Sequence, residues 1–236
     1  MVTILAIRPH LPYDGSRLAL RRKDDRVNVE LARLTERERY KVMAGLVVPR
    51  PIAWVTSVDA AGSVNLAPYS FFQVMATVEC HIGLGISNHE DGRRKDTLAA
   101  IEATGEFVVN LCTVDFAETV DRSSAEFPPG HSEAQLLGVE LADSTSVRVP
   151  RVAAAPASLE CRLVQIMPMG ASEWWVVGRV THAVISDAIM NARMHVDYQA
   201  YRPLGRLVAT KYVDTRHIFS VNGARGLEPL LGSADS

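Results

Sequence analysis

The stretch RPIAWVTSVDAAGSVNLAPYSFF, residues 50–72, gives the clearest strand signal in the chain. Two segments within it, PIAWVTSV (51–58) and SVNLAPYS (63–70), are rich in the β-branched and aromatic residues that favour strands. Between them, DAAG (59–62) has the composition of a tight turn. The stretch therefore predicts two antiparallel strands joined by a hairpin.

Further strands are predicted along the rest of the chain: HIGLGIS (81–87), EFVVNLC (106–112), SLECRLVQIM (158–167) and WWVVGRVTHAVIS (174–186). In 158–167, Cys161 and Leu163 alternate with Glu160 and Arg162, which is the period of a strand with one apolar face. Strands follow strands instead of alternating with helices. This order favours a mainly β fold, an antiparallel, Greek-key-like barrel that is closed or half closed.

Helix signals are fewer, and they predict a few peripheral helices. Residues 35–38 form a capping-box pattern, and Asp96 or Thr97 can cap a helix that Gly105 ends. Residues 115–118 and 132–135 begin two shorter helices. We divide the chain into an N-terminal arm (1–33), one barrel domain (34–220) and a C-terminal tail (221–236).

The composition is that of an ordinary globular protein, with 236 residues, 47% of them hydrophobic and 22% charged. A net charge of −2 predicts no general affinity for nucleic acid or anionic membranes. The N-terminal apolar run is shorter than the roughly 7–15 residues of a secretory signal, and no run approaches the ~20 of a membrane span. We therefore expect a cytoplasmic protein, whose Cys80, Cys112 and Cys161 are buried thiols in apolar surroundings.

The residue patterns argue against several kinds of active site. The chain contains no GxSxG nucleophile elbow, no histidines at metal-ligand spacing and no pair of acids typical of a hydrolase. GLGISN (83–88) lacks the third glycine of a dinucleotide fingerprint. Its two glycines indicate instead the close approach of another backbone or of a flat ligand. If the protein is an enzyme, a cofactor carries its chemistry.

The segment NHEDGRRKDT, residues 88–97, has two interpretations. Its three basic residues precede a helix start, where cations and backbone N–H groups can bind a phosphate. Glu90, Asp91 and Asp96 balance these cations, so the segment also fits a solvated charged turn. These ten residues alone do not distinguish between the two interpretations.

Polar residues also interrupt the apolar strands, and they too have two interpretations. They can be ordinary strand ends and a buried asparagine bonded to backbone, or they can face one cleft that holds a planar, polar-edged ligand such as an isoalloxazine ring. The residues are Thr56, Ser57, Asn65, Ser70, Ser87, Asn88 and Asn110.

The chain resembles the flavin reductase-like, FMN-binding split-barrel family, which includes flavoredoxin, some ferric reductases and the reductase partners of two-component monooxygenases. The resemblance spans about residues 40 to 215. Its motifs are RPIAWVTSVDAAGSVNLAPYSFF (50–72), DGRRKDTLAAIEATGEFVVNL (91–111), SAEFPPGHSEAQLLGVEL (124–141), APASLECRL (155–163) and PLGRLVATKY (203–212). The chain departs from the family at Glu79-Cys80, where many relatives carry a proline pair, and at the two glycines of 81–87.

The resemblance implies a homodimer of split barrels with FMN near the subunit interface. By position it places a set of residues beside the flavin, namely Thr56, Ser57, the backbone at Asn65, Leu66 and Ala67, Ser70 and Asn110. It places Ser87 near the phosphoribityl chain and Arg206 close to the site. It assigns the phosphate to Arg93, Arg94, Lys95 and Thr97.

The activity that the resemblance implies is hydride transfer from NADH or NADPH to the flavin N5, with electrons passed onward to free flavin, ferric complexes, oxygen or a partner protein. No side chain of the protein need act as acid or base. Two alternatives stay open on sequence grounds. The protein can be an FMN-binding electron carrier that a partner protein reduces, or a split-barrel binding module without flavin, in which Arg93, Arg94 and Lys95 form a plain surface turn.

Overall fold

The computed structural model of the chain describes residues 21–23, 26–127 and 132–221. The chain divides into two compact units with the boundary between Val47 and Val48. The domain limits that we infer from the sequence, after residues 33 and 220, stay predictions. Most of the predicted arm and nearly all of the predicted tail lie outside the described residues.

The described part of the N-terminal unit is a short hairpin followed by a helix. The capping box predicted at 35–38 is present: Glu38 N donates to Thr35 Oγ1 at 3.3 Å, and Thr35 N donates to the Glu38 carboxylate at 2.9 Å. The elements are β1 (Arg21–Lys23), β2 (Arg26–Asn28), a 3-10 helix (Leu31–Arg33) and α1 (Glu36–Leu46).

The second unit is built mainly of strands. In chain order its elements are β3 (Arg50–Pro51), β4 (Ala53–Val58), β5 (Val64–Tyr69), β6 (Phe72–Ala76), β7 (His81–Ser87), α2 (Asp96–Thr104), β8 (Glu106–Leu111), a 3-10 helix (Val114–Phe116), α3 (Ala117–Arg122), α4 (Glu133–Leu136), β9 (Leu141–Ala142), β10 (Arg151–Val152), β11 (Ala157–Pro168), β12 (Glu173–Ile185), α5 (Tyr198–Tyr201), β13 (Leu204–Arg206) and β14 (Tyr212–Asp214).

Seven of these strands form one antiparallel sheet in the order β5-β4-β8-β11-β12-β7-β6. Strands β3, β13 and β14 form a smaller sheet, and β9 pairs with β10. Each of the six predicted strands is present, and the predicted hairpin joins β4 to β5. The predicted class, mainly β with an antiparallel sheet and a few peripheral helices, is confirmed. In the described part of the chain no helix is long and apolar enough to cross a membrane.

Strand β4 supplies side chains to two different cores, which explains why it is apolar on both faces. Ala53 and Val55 pack with Leu98 and Ile101 of α2 in the main core. Trp54, which points to the opposite face, packs in a second core with Val120 of α3 and Ala134 of α4, among others. The second core therefore fixes α3 and α4 beside the same strand that packs against α2.

The two glycines of β7 make room for a side chain of the neighbouring strand. A Cβ on Gly83 would lie 2.4 Å from the ring of Trp175, and one on Gly85 would lie 2.8 Å from Phe71 Cβ. The sequence predicted the approach of another backbone or of a flat ligand, but the groups that approach these glycines are aromatic side chains of the same chain. These glycines thus give no support to a flat ligand at this place.

Two other expectations from the sequence are wrong. Cys112 and Cys161 are buried, but Cys80 is exposed, in the turn between β6 and β7 with φ of 51°. Glu160 is fully buried even though it falls on the polar phase of 158–167. Its carboxylate accepts the backbone N–H groups of Thr145 and Ser146, so loop donors distant in sequence offset its burial.

Candidate functional site

An open cleft of about 130 Å³ lies where β5, the start of α2 and the segment after α3 meet. One wall comes from β5, the second from the basic loop (residues 88–95) and α2, and the third from residues 123–127 and the first residue of α4. The lining residues are Asn65, Ala67, Pro68, Tyr69, His89, Arg93, Lys95, Asp96, Thr97, Ser123, Ser124, Ala125, Glu126, Phe127 and Glu133.

Hydrogen bonds within the basic loop hold it in a closed turn. His89 N donates to the Arg93 carbonyl at 2.8 Å, and Gly92 N donates to the His89 carbonyl at 2.9 Å. Asn88 Nδ2 donates to the Gly92 carbonyl at 3.1 Å. Gly92 has φ of 85°, a left-handed conformation that glycine adopts without strain. The loop is therefore an ordered element that presents its side chains in set directions.

The three cations of the basic loop have different surroundings. Arg93 pairs with Asp91 at 2.7 Å and lines the cleft. Arg94 pairs with Glu102 of α2, lies with its guanidinium carbon 4.5 Å from the centre of the Trp174 ring, and does not line the cleft. Lys95 lines the cleft, and no carboxylate of the described residues lies within ion-pair distance of its ammonium group.

The start of α2 differs from the prediction. Lys95 occupies the N-cap position, and no side chain caps the helix, so the predicted capping by Asp96 or Thr97 is wrong. The Thr97 hydroxyl instead accepts a hydrogen bond from Asn65 Nδ2 at 2.7 Å. The backbone N–H groups of the first turn have no partners within the helix, and the helix dipole gives this end a partial positive charge.

These features make the cleft suitable for an anion. Lys95, Arg93 and the first turn of α2 together offer positive charge and hydrogen-bond donors, the combination that binds phosphate at helix starts. Three acidic residues, Asp96, Glu126 and Glu133, also line the cleft. The site therefore suits an anion that reaches the cations and keeps its polar, uncharged parts beside the carboxylates.

The wall formed by β5 is held by hydrogen bonds that are partly or fully buried. Asn65 Nδ2, which bonds Thr97, also lies 3.4 Å from Ser57 Oγ. Burial raises the pKa of the Tyr69 hydroxyl far above its usual range, so this group stays protonated at neutral pH. Leu66 turns its side chain into the second core, and its backbone N–H donates to Glu133 Oε2 at 2.9 Å. Ala67 lines the cleft.

The wall after α3 is held by the second core and by a contact between His89 and Glu126. Trp54 Nε1 donates to Ser123 Oγ at 2.9 Å, and Ser123 Oγ donates to the Val120 carbonyl at 2.9 Å. His89 Nδ1 lies 2.9 Å from Glu126 Oε1, which joins the basic loop to this wall. The hydrogen bond to His89 lowers the pKa of the Glu126 carboxyl.

Glu133 is a buried carboxyl of the cleft that sequence reasoning missed. Burial raises the pKa of Glu133, the hydrogen bond from the Leu66 N–H opposes this rise, and the charge of Asp96 adds to it. The pattern at 132–135 indicated only a helix start. Tyr69, His89 and Ser123 were missed as well, because their positions follow from tertiary contacts and no local motif marks them.

Replacing Glu133 by glutamine tests this burial. Because the pKa of Glu133 is higher in the folded state, the unfolded state loses this proton first as the pH rises. The folded state therefore loses stability as the pH rises from the unfolded pKa to the folded pKa, and the loss persists at higher pH. Glutamine cannot ionise and keeps an oxygen that can accept from the Leu66 N–H. We expect Glu133→Gln to raise the melting temperature more at about pH 8 than at about pH 4.

The exposed Glu140 provides the matched control for that measurement, as Glu140→Gln. Melting curves are recorded for both variants and the wild type across the same pH range. A difference between Glu133→Gln and the wild type that does not change with pH would contradict the raised pKa.

The structure brings together only part of the predicted site. Asn65, Ala67, Arg93, Lys95 and Thr97 line the cleft, and Leu66 contributes to its wall through its backbone. Ser57 lies behind the wall, in contact with Asn65.

The other predicted residues lie away from the lining. Thr56 and Asn110 are buried and bonded to each other at 3.3 Å. Ser70 accepts a hydrogen bond from Arg50 Nε at 3.2 Å, and Ser87 ends β7 in an exposed position. The assignment of these residues to a flavin stays a prediction.

Arg206, whose role the sequence left undefined, lies in a cluster on α3. Its guanidinium donates to Asp121 Oδ1 at 3.2 Å and lies 4.4 Å from the centre of the Tyr212 ring. The Tyr212 hydroxyl donates to the same Asp121 oxygen at 2.6 Å. Burial and this hydrogen bond raise the pKa of Tyr212 to about 12. Arg206 therefore links β13 and β14 to α3, the helix that precedes the wall formed by residues 123–127.

The chain is similar to known proteins in both sequence and fold. Residues 43–205 match the family model described as the flavin reductase like domain. An uncharacterized protein of Deinococcus radiodurans is 38% identical over 199 residues, covering 81% of this chain and 87% of the relative. An uncharacterized protein of Aquifex aeolicus is 36% identical over 174 residues, covering 74% of this chain and 88% of the relative.

Solved structures show the same fold. Nitrilotriacetate monooxygenase component B from Bacillus cereus superposes with a TM-score of 0.80 at 27% identity, covering 84% of this chain and all of the other. The 2-nitrobenzoate 2-nitroreductase of Pseudomonas fluorescens gives 0.76 at 30% identity, covering 82% of this chain and 94% of the other. Flavoredoxin of Desulfovibrio vulgaris gives a TM-score of 0.67 at 14% identity, covering 77% of this chain and 94% of the other. At this identity the match supports the fold alone.

Proposed function

We propose, because this chain belongs to the flavin reductase-like family, that it is an FMN-dependent oxidoreductase that takes hydride from NADH or NADPH. The fold is the split barrel of that family, and two of the structural relatives are named as a monooxygenase component and a nitroreductase. FMN, when bound, accepts a hydride and passes electrons onward singly or in pairs. The protein supplies the binding and the orientation.

The main observation behind this proposal is that Lys95, Arg93 and the start of α2 lie in the same cleft. The phosphate of FMN is a dianion, which two cations and a helix start can hold together. The neutral donors and acceptors on the β5 wall then lie beside the uncharged part of the cofactor. We therefore assign the phosphate to the basic loop and the remainder of FMN to the β5 side.

The residues of the chain act by positioning. Asn65 and Thr97 bond each other, so their wall is ordered before any ligand arrives. Preorganised walls lower the entropy that a bound reactant must lose and hold it in a productive orientation. The proposed electron acceptors are free flavin, ferric complexes, oxygen or a partner protein.

The proposal includes the homodimer that the family resemblance implies. Its support in this chain is a group of exposed apolar side chains at the β6 edge of the main sheet, Val74, Met75 and Val78. Exposed apolar groups of this kind favour association with another protein surface. Sedimentation equilibrium measures the mass directly, and a monomer at micromolar concentration would contradict this part of the proposal.

The function is tested by turnover. Purified protein loaded with FMN is supplied with NADH or NADPH and, in separate reactions, with free flavin, a ferric chelate or oxygen. We expect oxidation of at least one nicotinamide with at least one acceptor. Protein that binds FMN and oxidises neither nicotinamide with any acceptor would contradict the reductase function.

A further inference from the structure

Trp174, near the start of β12, contacts the basic loop at both of its ends. The residue belongs to the edge of the main core, and it does not line the cleft. Its indole N–H donates to Asn88 Oδ1 at 3.0 Å. Its ring lies against the guanidinium of Arg94, with the guanidinium carbon 4.5 Å from the ring centre.

The contact with Asn88 secures the first end of the loop. The Asn88 side chain accepts from Trp174 with its oxygen and donates to the Gly92 carbonyl with its nitrogen. The Asn88 backbone N–H also donates to the Ser172 carbonyl at 2.8 Å. Asn88 therefore links the turn of the basic loop directly to the strand that carries Trp174.

The contact with Arg94 secures the second end. The Arg94 guanidinium lies on the indole ring and pairs with Glu102, so it joins β12 to α2. A cation over an indole face is the most favourable of the cation–π pairs. Arg94 stands between Arg93 and Lys95, and these two neighbours line the cleft that Arg94 does not reach.

We propose that Trp174 is a positioning residue that sets the direction of the two cleft cations. By holding Arg94 on the side away from the cleft, it leaves Arg93 and Lys95 on the cleft side. By holding Asn88, it keeps the turn that precedes them closed. This inference rests on the proposed function, since it concerns the cations that would bind the phosphate of FMN.

Comparison of FMN with riboflavin separates this role from general stability, because riboflavin lacks the phosphate. We expect Trp174→Leu to weaken FMN binding about tenfold, since both a cation–π contact and a hydrogen bond are lost. Riboflavin binding is expected to change less than about twofold, because the loop cations do not contact it. Dissociation constants come from flavin fluorescence titrations of flavin-free protein.

Two further variants complete the test. Trp174→Phe keeps a ring for Arg94 and loses only the N–H, so its FMN affinity should fall between those of Trp174→Leu and the wild type. Trp175→Leu is the matched control, because Trp175 is the next residue of β12 and lies against Gly83, outside the basic loop. It should leave the ratio of FMN to riboflavin affinity unchanged.

The outcomes distinguish this inference from the proposed function. If the wild type prefers FMN and both Trp174 variants keep the full preference, the positioning role is overturned and the phosphate cleft stands. If the wild type binds FMN and riboflavin equally, the phosphate cleft is overturned and this inference with it. Should Trp174→Leu fail to fold, Trp174→Phe decides between the same results.

Discussion

Replacing Lys95 by glutamate is expected to lower the affinity for FMN by roughly 100-fold, because a charge-assisted bond to phosphate is replaced by repulsion. Lys95 lines the cleft and occupies the N-cap position of α2, next to the first-turn N–H groups. Lys95→Ala should give a smaller loss, about tenfold, since the attraction disappears without a new repulsion. Fluorescence titration with FMN and with riboflavin measures both effects.

The control for this prediction is a charge reversal elsewhere on the same unit. Lys211 is exposed in the turn between β13 and β14, so Lys211→Glu should change neither affinity. Riboflavin affinity should stay within about twofold in the Lys95 variants, because the missing group is the phosphate. Equal FMN affinity in Lys95→Glu and the wild type would show that the phosphate binds elsewhere and that Lys95 is an ordinary solvated surface residue.

Replacing Asn110 by alanine is expected to lower the free energy of unfolding by about 3 kcal/mol, because buried partners are left unsatisfied. Asn110 Nδ2 donates to the Trp54 carbonyl at 2.9 Å, and Asn110 Oδ1 accepts from Val152 N at 2.8 Å and from Ser158 Oγ at 2.9 Å. These bonds join β4, β8, β10 and β11. Urea unfolding followed by circular dichroism gives the free energy.

This prediction separates a structural asparagine from one that contacts flavin. Ser158→Ala removes one bond of the same network and should cost about 1 kcal/mol. The fraction of the Asn110→Ala variant that is folded should bind FMN with the same affinity as the wild type. A variant with nearly unchanged stability and clearly weaker FMN binding would instead assign Asn110 to the flavin, as the family resemblance implies.

The strands of this protein could be predicted because local sequence carries their signal. In 50–72, runs of β-branched and aromatic residues surround a turn, and the structure has β4 and β5 at those places. Strand β6 was missed, since Phe72–Ala76 is an edge strand whose apolar side chains are largely exposed and do not alternate. An edge strand of this kind carries little periodicity for sequence reasoning to detect.

The sequence identified the segment that forms the candidate site more readily than it identified which residues face the cleft. The basic loop and the start of α2 were found because cations before a helix are a local pattern. Which of the two arginines faces the cleft was not predicted, because it depends on Trp174, a residue of a distant strand. The buried Glu133 was missed for the same reason, as its partner is the backbone N–H of Leu66.

Anaerobic mixing of the FMN-loaded protein with NADH or NADPH tests the proposed function most directly. The absorbance of the bound flavin is followed in a stopped-flow instrument, with free FMN at the same concentration as the reference. We predict that at least one nicotinamide bleaches the protein-bound flavin far faster than it bleaches free FMN. Bleaching no faster than that of free FMN, with both nicotinamides, would contradict a reductase and favour an electron carrier that a partner protein reduces.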